Sequence, residues 1–255
     1  MIFETHAHYD NPAFDEDRNK LLEELPKRGI KAVVNVGADL ASTRRTLDLV
    51  KAYPHVYGSV GVHPSECKDL SEEDMLWLKQ QTGAEKIIAV GEIGLDYYWE
   101  GVDHQIQKKW FVRQLWMARE TGLPVIIHSR DAAKDTLDIM KGERAGEMGG
   151  VIHCFSYSRE MAKEYLEMGF YLGIGGVLTF QNAKRLKEVV EYAPMDSLVL
   201  ETDSPYLAPS PHRGERNSSL YLPLVVEALA SLKGISPEEV EERTWENARR
   251  LYRLS

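Results

Sequence analysis

The segment IFETHAHYD, residues 2–10, sets two histidines one residue apart at the polar end of an apolar run. Side chains alternate along a strand, so His6 and His8 share a face. Two adjacent imidazoles fill a core poorly. Their natural settings are a solvated strand end or half of a metal site. Further candidates stand in later apolar runs, His63 in GVHP, His128 in PVIIHS, His153 in VIHCF and Asp203 in LETDSP at their ends and Glu92 within AVGEIG. Five of the eight histidines stand in such places, while His55, His104 and His212 fall in helix or loop stretches. Taken singly, His128 reads as a strand-end histidine satisfied by a carbonyl. Glu92 is harder to dismiss, because an unpaired carboxylate among apolar residues and glycines is costly unless a cation lies beside it.

Imidazole nitrogens mixed with carboxylate oxygens suit Zn2+, Mn2+, Fe2+, Co2+ or Ni2+, and Mg2+ where water completes the shell. Four histidines and two carboxylates exceed the needs of one ion and match two. The natural division assigns His6 and His8 to one ion and His128 and His153 to the other. Glu92 would bridge them, and Asp203 would bind the first ion within reach of its water. Such a pair acidifies water, clamps the attacked oxygen and neutralises developing charge. The expectation is a two-metal hydrolase.

Positioning these groups requires strands whose ends converge. Eight short apolar runs recur along the chain, at 2–6, 31–37, 56–64, 86–96, 123–131, 149–155, 170–178 and 197–205. Most are rich in β-branched residues and end in polar or Gly/Pro clusters, as buried parallel strands do. Amphipathic stretches separate them. DEDRNKLLEELPKRG places Leu21, Leu22 and Leu25 on one stripe and stops at Gly29; SEEDMLWLKQQTG opens with Ser71 as N-cap; SPEEVEERTWENARRLYRL opens with Ser236 and Pro237. Strand and helix alternating eight times predict a (β/α)8 TIM barrel, an α/β fold, as one domain over residues 1–255. In that fold the ends of different strands meet at the C-terminal mouth, where the metal site is expected. An open doubly wound sheet is the competing topology, but no GxGxxG follows the first strand.

The chain has 255 residues, 43% hydrophobic and 28% charged, with a formal net charge of -9. No basic stripe offers a track for duplex DNA, so a polyanionic substrate must be drawn in locally. Cys67 and Cys154 form no CxxC pair and imply no disulfide framework. No apolar run is long enough for a membrane span, and none near the start resembles a signal peptide. The expectation is a cytoplasmic protein with no membrane association and no obligate protein partner.

Six motifs in order, THAHYD, VGVHP, VGEIGLDYY, PVIIHSRDA, VIHCFS and LETDSPYLAP, closely resemble the TatD-type deoxyribonucleases of the amidohydrolase superfamily. The likeness runs from residue 2 to the EEVEERTWENARRLY tail. It implies a divalent-metal barrel that cleaves phosphodiesters, chiefly as a 3′→5′ exonuclease on single strands. Carried over residue by residue, the family's ligands fall on His6, His8, Glu92, His128, His153 and Asp203. The implied catalytic groups are Asp203, which orients or deprotonates water, His63 beside the scissile phosphate, and the bridging Glu92. The implied cofactors are two divalent ions, Mg2+, Mn2+ or Zn2+. The family commonly reads RGxRNEP after strand 8, whereas this chain reads HRGERNSS, with Ser218 and Ser219 replacing Glu-Pro.

Arg130 follows His128 by two residues and is expected on its face, while Arg213 and Asn217 on the last long loop are expected to contact phosphate. Tyr97, Tyr98, Trp99, Phe155, Tyr157 and Tyr206 are candidates to stack unpaired bases. The expected substrate is a single-stranded DNA or oligonucleotide end, with RNA as a further candidate. A hydrolase of a small ester, amide or lactone, or a metal-binding scaffold without turnover, are the alternatives.

Overall fold

A computed structural model of the chain describes residues 1–254. Eight parallel strands pair in sequence order: β1 (Ile2–Ala7), β2 (Ile30–Val36), β3 (Val56–Val60), β4 (Ile87–Asp96), β5 (Val125–Arg130), β6 (Gly150–Ile152), β7 (Tyr171–Ile174) and β8 (Leu198–Leu200). The sheet curls until its edges meet through an Ala7–Ser204 bridge and the bonds His8 N–H to Ser204 O and Asp203 N–H to His6 O. Nine α-helices among the described residues surround it: α1 (Arg18–Glu24), α2 (Leu40–Ala52), α3 (Glu72–Gln81), α4 (His104–Thr121), α5 (Ala133–Gly142), α6 (Arg159–Glu167), α7 (Lys184–Tyr192), α8 (Leu222–Lys233) and α9 (Pro237–Leu251). This is the (β/α)8 barrel that the alternation predicts.

Local chemistry accounts for most helix ends. Ser71 and Asp74 form a reciprocal capping box on α3, and the Ser236 side chain accepts from Glu239 N–H with Pro237 opening α9. The segment expected as one helix up to Gly29 is instead divided. Pro26 cannot continue the α-helical hydrogen bonding, so α1 stops at Glu24 and Leu25–Arg28 form a 3-10 turn, closed by Gly29 at φ 90°.

Two buried clusters divide the inside of the barrel from its outer layer. Phe3, Val34, Ala89, Ile126, Val151 and Val199 gather within, closed from below by Ala248, Leu251 and Tyr252 at the end of α9. Their neighbours Ile2, Val33, Val90, Ile127 and Leu200 pack outward against the helices. Of the four register shifts in the sheet, one in β1 and one in β4 alter this alternation beside the candidate ligands. Between Glu4 and Ala7, β1 advances three residues while β2 advances two, from Val33 to Asn35. Between Val90 and Ile93, β4 does the same against β5, from Val125 to Ile127. Each shift moves the inward positions by one residue. Phe3 faces inward, Ala7 outward, and His6 and His8 inward again. Ala89 faces inward, Ile93 outward, and Glu92 inward.

Candidate metal centre

The upper end of the barrel opens into a basin of about 700 Å³ bordered by His8, His63, Glu92, His128, His153 and Asp203. Five of the six predicted ligands border it, and His6, fully buried, lies against His8 and His153 beneath. His6 comes from within β1, while His8 and His153 sit one residue beyond β1 and β6. Asp203 and His63 were expected to end their strands but lie three residues past them. After Leu200 the chain leaves β7 and joins β1 through Asp203 N–H to His6 O. Asp203 takes a left-handed backbone, φ 57°.

His6 and His8 place their Nε2 atoms 3.1 Å apart. Glu92 Oε2 lies 3.5 Å from the first and 3.6 Å from the second, and Asp203 Oδ1 lies 3.7 and 3.4 Å from them. A tetrahedral ion with bonds of about 2.0–2.1 Å separates its donor atoms by about 3.4 Å, so the His6–His8–Asp203 trio could hold a divalent cation, with Glu92 Oε2 beside its two imidazoles. The other oxygen of Glu92 faces the far side: Oε1 is 2.8 Å from His128 Nδ1, 3.5 Å from His153 Nε2 and 3.9 Å from His63 Nε2. One buried carboxylate thus divides its two oxygens between two groups of imidazoles. The His6 and His153 rings stack at 3.6 Å where the groups adjoin.

Electrostatics bind the cluster together. Burial opposes charge on Glu92 and Asp203, yet the surrounding histidines, His153 foremost, hold both carboxyls below their ordinary range. Burial opposes charge on the imidazoles as well. Asp203 and Glu92 nevertheless raise His8 to about 9, and Glu201 and Glu92 raise His153 to about 10. His63 behaves oppositely: burial and the neighbouring His128 push it down to about 3. Ser65 N–H donates to His63 Nδ1, so the proton of the neutral ring resides on Nε2, toward the basin.

Behind the ligands stand groups that hold them. His8 Nδ1 donates to Val36 O, and His128 Nε2 donates to Asp96 Oδ2 at 2.9 Å. Asp96 therefore holds a histidine. Two further carboxylates were not singled out from the sequence. Glu201, 1% exposed, has Oε1 3.2 Å from His153 Nδ1. Glu4, fully buried and pushed up to about 8 by that burial, accepts from His6 N–H, Thr202 N–H, Thr202 Oγ1 and Ser219 Oγ. In FETH and LETD each resembles the polar end of a strand, and only the barrel's closure reveals them as buried.

The expected substrate contacts separate. Arg130 borders the basin, forms no ion pair among the described residues, and lies over the Tyr98 ring at 3.7 Å and the Trp99 ring at 5.8 Å. Arg213 instead lies against Phe180, 4.4 Å from its ring, and is not part of the basin wall. Asn217 requires a correction. It is fully buried, donates Nδ2 to the carbonyls of Thr202 and Tyr206, and accepts from Ser218 N–H, so it fastens the loop from within. Ser219 fastens it too, through Tyr9 and Glu4, with a backbone N–H to the Tyr9 hydroxyl that a proline lacks. Of the six aromatic candidates, Tyr97, Phe155 and Tyr157 serve packing or internal hydrogen bonds. Tyr98, Trp99 and Tyr206 remain exposed on the rim.

An eight-stranded parallel barrel with this ring of imidazoles and carboxylates at its mouth defines the class of metal-dependent hydrolases. The chain belongs to the TatD-related DNase family, whose model matches residues 3–253. It is 42% identical to the uncharacterized metal-dependent hydrolase YabD of Bacillus subtilis, over the whole of both chains. It is 30% identical to the 3′-5′ ssDNA/RNA exonuclease TatD of Salmonella typhimurium, covering 99% of each. Among solved structures, the TatD homologue YJJV of Escherichia coli superposes with a TM-score of 0.94 at 28% identity, covering 100% of this chain and 98% of that one.

Proposed function

We propose that the protein is an exonuclease that shortens single-stranded DNA from its 3′ end, using two divalent ions to activate water, with RNA as a second substrate. The observation that carries this reading is the division of Glu92 between the His6–His8–Asp203 group and the His128–His153 group. The name of the Salmonella relative supports the substrate class. His6, His8, Glu92 and Asp203 would hold one ion, and Glu92, His128 and His153 the other. When bound, such ions lower the pKa of water and offset charge on a phosphoryl group.

The chain's own residues then have defined tasks. Asp203 is held ionised and stands at the rim of the basin, so it orients the attacking water and accepts its proton. As the water oxygen bonds to phosphorus, the bond from phosphorus to O3′ of the penultimate nucleotide breaks, releasing the terminal 5′-nucleotide. His63 offers a neutral Nε2–H and resists protonation, so it serves as a hydrogen-bond donor to a phosphoryl oxygen. Arg130 with Tyr98 and Trp99 supplies a cationic, aromatic wall for the adjoining phosphate and base.

The test is chelator-stripped protein incubated with 5′-labelled single-stranded DNA, alone and with Mg2+, Mn2+ or Zn2+, beside Asp203→Asn. A metal-dependent ladder from the 3′ end, absent in the variant, is expected. No cleavage by protein shown to hold two ions would transfer the site to small ester, amide or lactone substrates.

A further inference from the structure

Nothing in the proposed reaction uses Glu201. Its side chain is 1% exposed, Oε1 accepts from Cys154 N–H, and Oε2 has no hydrogen-bond partner among the described residues. A buried carboxylate with one unpaired oxygen is a poor source of stability. The imidazole nearest to it is His153, whose Nδ1 stands in ion-pair contact 3.2 Å from Oε1 and has no other partner among the described residues; the His6 ring lies beside both.

The barrel makes deliberate room for this group. β7 brings no candidate ligand to the mouth, and its inward position beside Glu201 is Gly173. A Cβ there would stand 2.1 Å from Glu201 Oε2 and 2.5 Å from its Cδ. The clearance left by Gly173 lets a carboxylate from the end of β8 occupy the space above β7 and reach toward β6, where His153 follows Ile152.

We propose that Glu201 is a positioning residue: its carboxylate holds the His153 proton on Nδ1, leaving Nε2 as the lone pair aimed at Glu92, and Gly173 is the clearance that admits it. Three of the four ring histidines are then anchored from behind, His8 by a carbonyl, His128 by Asp96 and His153 by Glu201. Such rear contacts fix tautomer and ring orientation and raise ligand basicity. His6 differs in that no carboxylate lies within ion-pair distance of its Nδ1 among the described residues, and its ring is held by stacking on His153. Glu201 therefore orients His6 as well, through the ring it stacks on.

The inference rests on His153 being an ion ligand, and the experiment separates the two. In full-length Zn2+-loaded protein with 15N-labelled histidine, long-range proton–nitrogen correlation should show His153 protonated at Nδ1 and coordinated through Nε2. Coordination through Nδ1 in the wild type overturns the proposal without any variant. Zn2+ titration of Glu201→Gln should show one of two ions bound about 10–100-fold more weakly and the other unchanged. Gly173→Ala, which displaces the carboxylate without removing it, should weaken the same ion. Loss of an ion in His153→Ala, with wild-type affinity in both Glu201→Gln and Gly173→Ala, overturns the role of Glu201 alone. Wild-type binding by His153→Ala overturns the ligand assignment beneath it.

Discussion

His6 and His8 hold their Nε2 atoms 3.1 Å apart with a carboxylate oxygen from Glu92 and one from Asp203 near both. Two imidazole lone pairs at that separation repel unless a proton or a cation lies between them. The pair therefore links protonation to metal uptake. Zn2+ binding at neutral pH should release protons, read calorimetrically as a dependence of the observed heat on the ionisation enthalpy of the buffer. Buffer-independent heats would show that the rings are already unprotonated.

The same groups fix how stability changes with pH. In chelator-stripped protein, burial notwithstanding, nearby carboxylates hold His8 up to about 9 and His153 up to about 10, against about 6.5 for histidine in an unfolded chain. A base whose pKa is raised by folding binds more protons in the fold than in the unfolded chain. Its contribution is complete below about pH 6.5 and is lost as pH rises toward these values. Melting temperature should fall between pH 6.5 and 10 for stripped protein and change less for loaded protein. A flat profile for the stripped protein would contradict the ion pairs described.

Asp203→Asn keeps the side chain's shape and removes its capacity to accept a proton. Nuclease kcat should fall about 10²–10⁴-fold, the usual contribution of a positioned base. Metal content by atomic spectroscopy should show whether an ion is lost as well. Retained activity would assign the proton to another group.

His63→Ala should lower kcat about 10²–10³-fold through loss of one oxyanion donor. Because the ring of His63 is held down to about 3, the wild-type rate should carry no inflection near pH 6.5 that disappears in this variant. Such an inflection would make His63 a proton donor rather than a neutral hydrogen-bond donor.

Trp99→Ala removes an exposed ring beside Arg130. Stacking of one base contributes about 1–3 kcal/mol, so KM for single-stranded DNA should rise about tenfold. Hydrolysis of a small chromogenic phosphodiester should be little affected. Equal effects on both substrates would assign Trp99 to the shape of the loop.

The eight strands and the candidate ligands are legible because all the ligands but Glu92, which lies within β4, stand at or near the end of an apolar run, and in this topology run ends converge. In the sequence Asn217 resembles a surface contact, a polar residue in a long loop, whereas in the fold its amide satisfies two carbonyls beneath the loop. Glu4 and Glu201 were passed over because a carboxylate at a strand end is ordinary until the sheet closes over it. Pro26 marked the break in the first helix, but the leucine stripe on either side concealed it. The register shifts of β1 and β4 have no signature in residue types, since they depend on how each strand is counted against its neighbour.

Those two extra residues make the chemistry depend on parity. Shortening β1 by one residue between Glu4 and His6 would keep both histidines, the apolar content and the loop lengths, yet turn the imidazoles from the lumen into the helical layer. The same deletion ahead of Glu92 would send the shared carboxylate outward. A barrel of nearly identical composition would then form around an inert mouth. Single-residue deletions at these two points are the smallest edits that should separate folding from catalysis, and gene alignments that treat such gaps as neutral would overlook the difference.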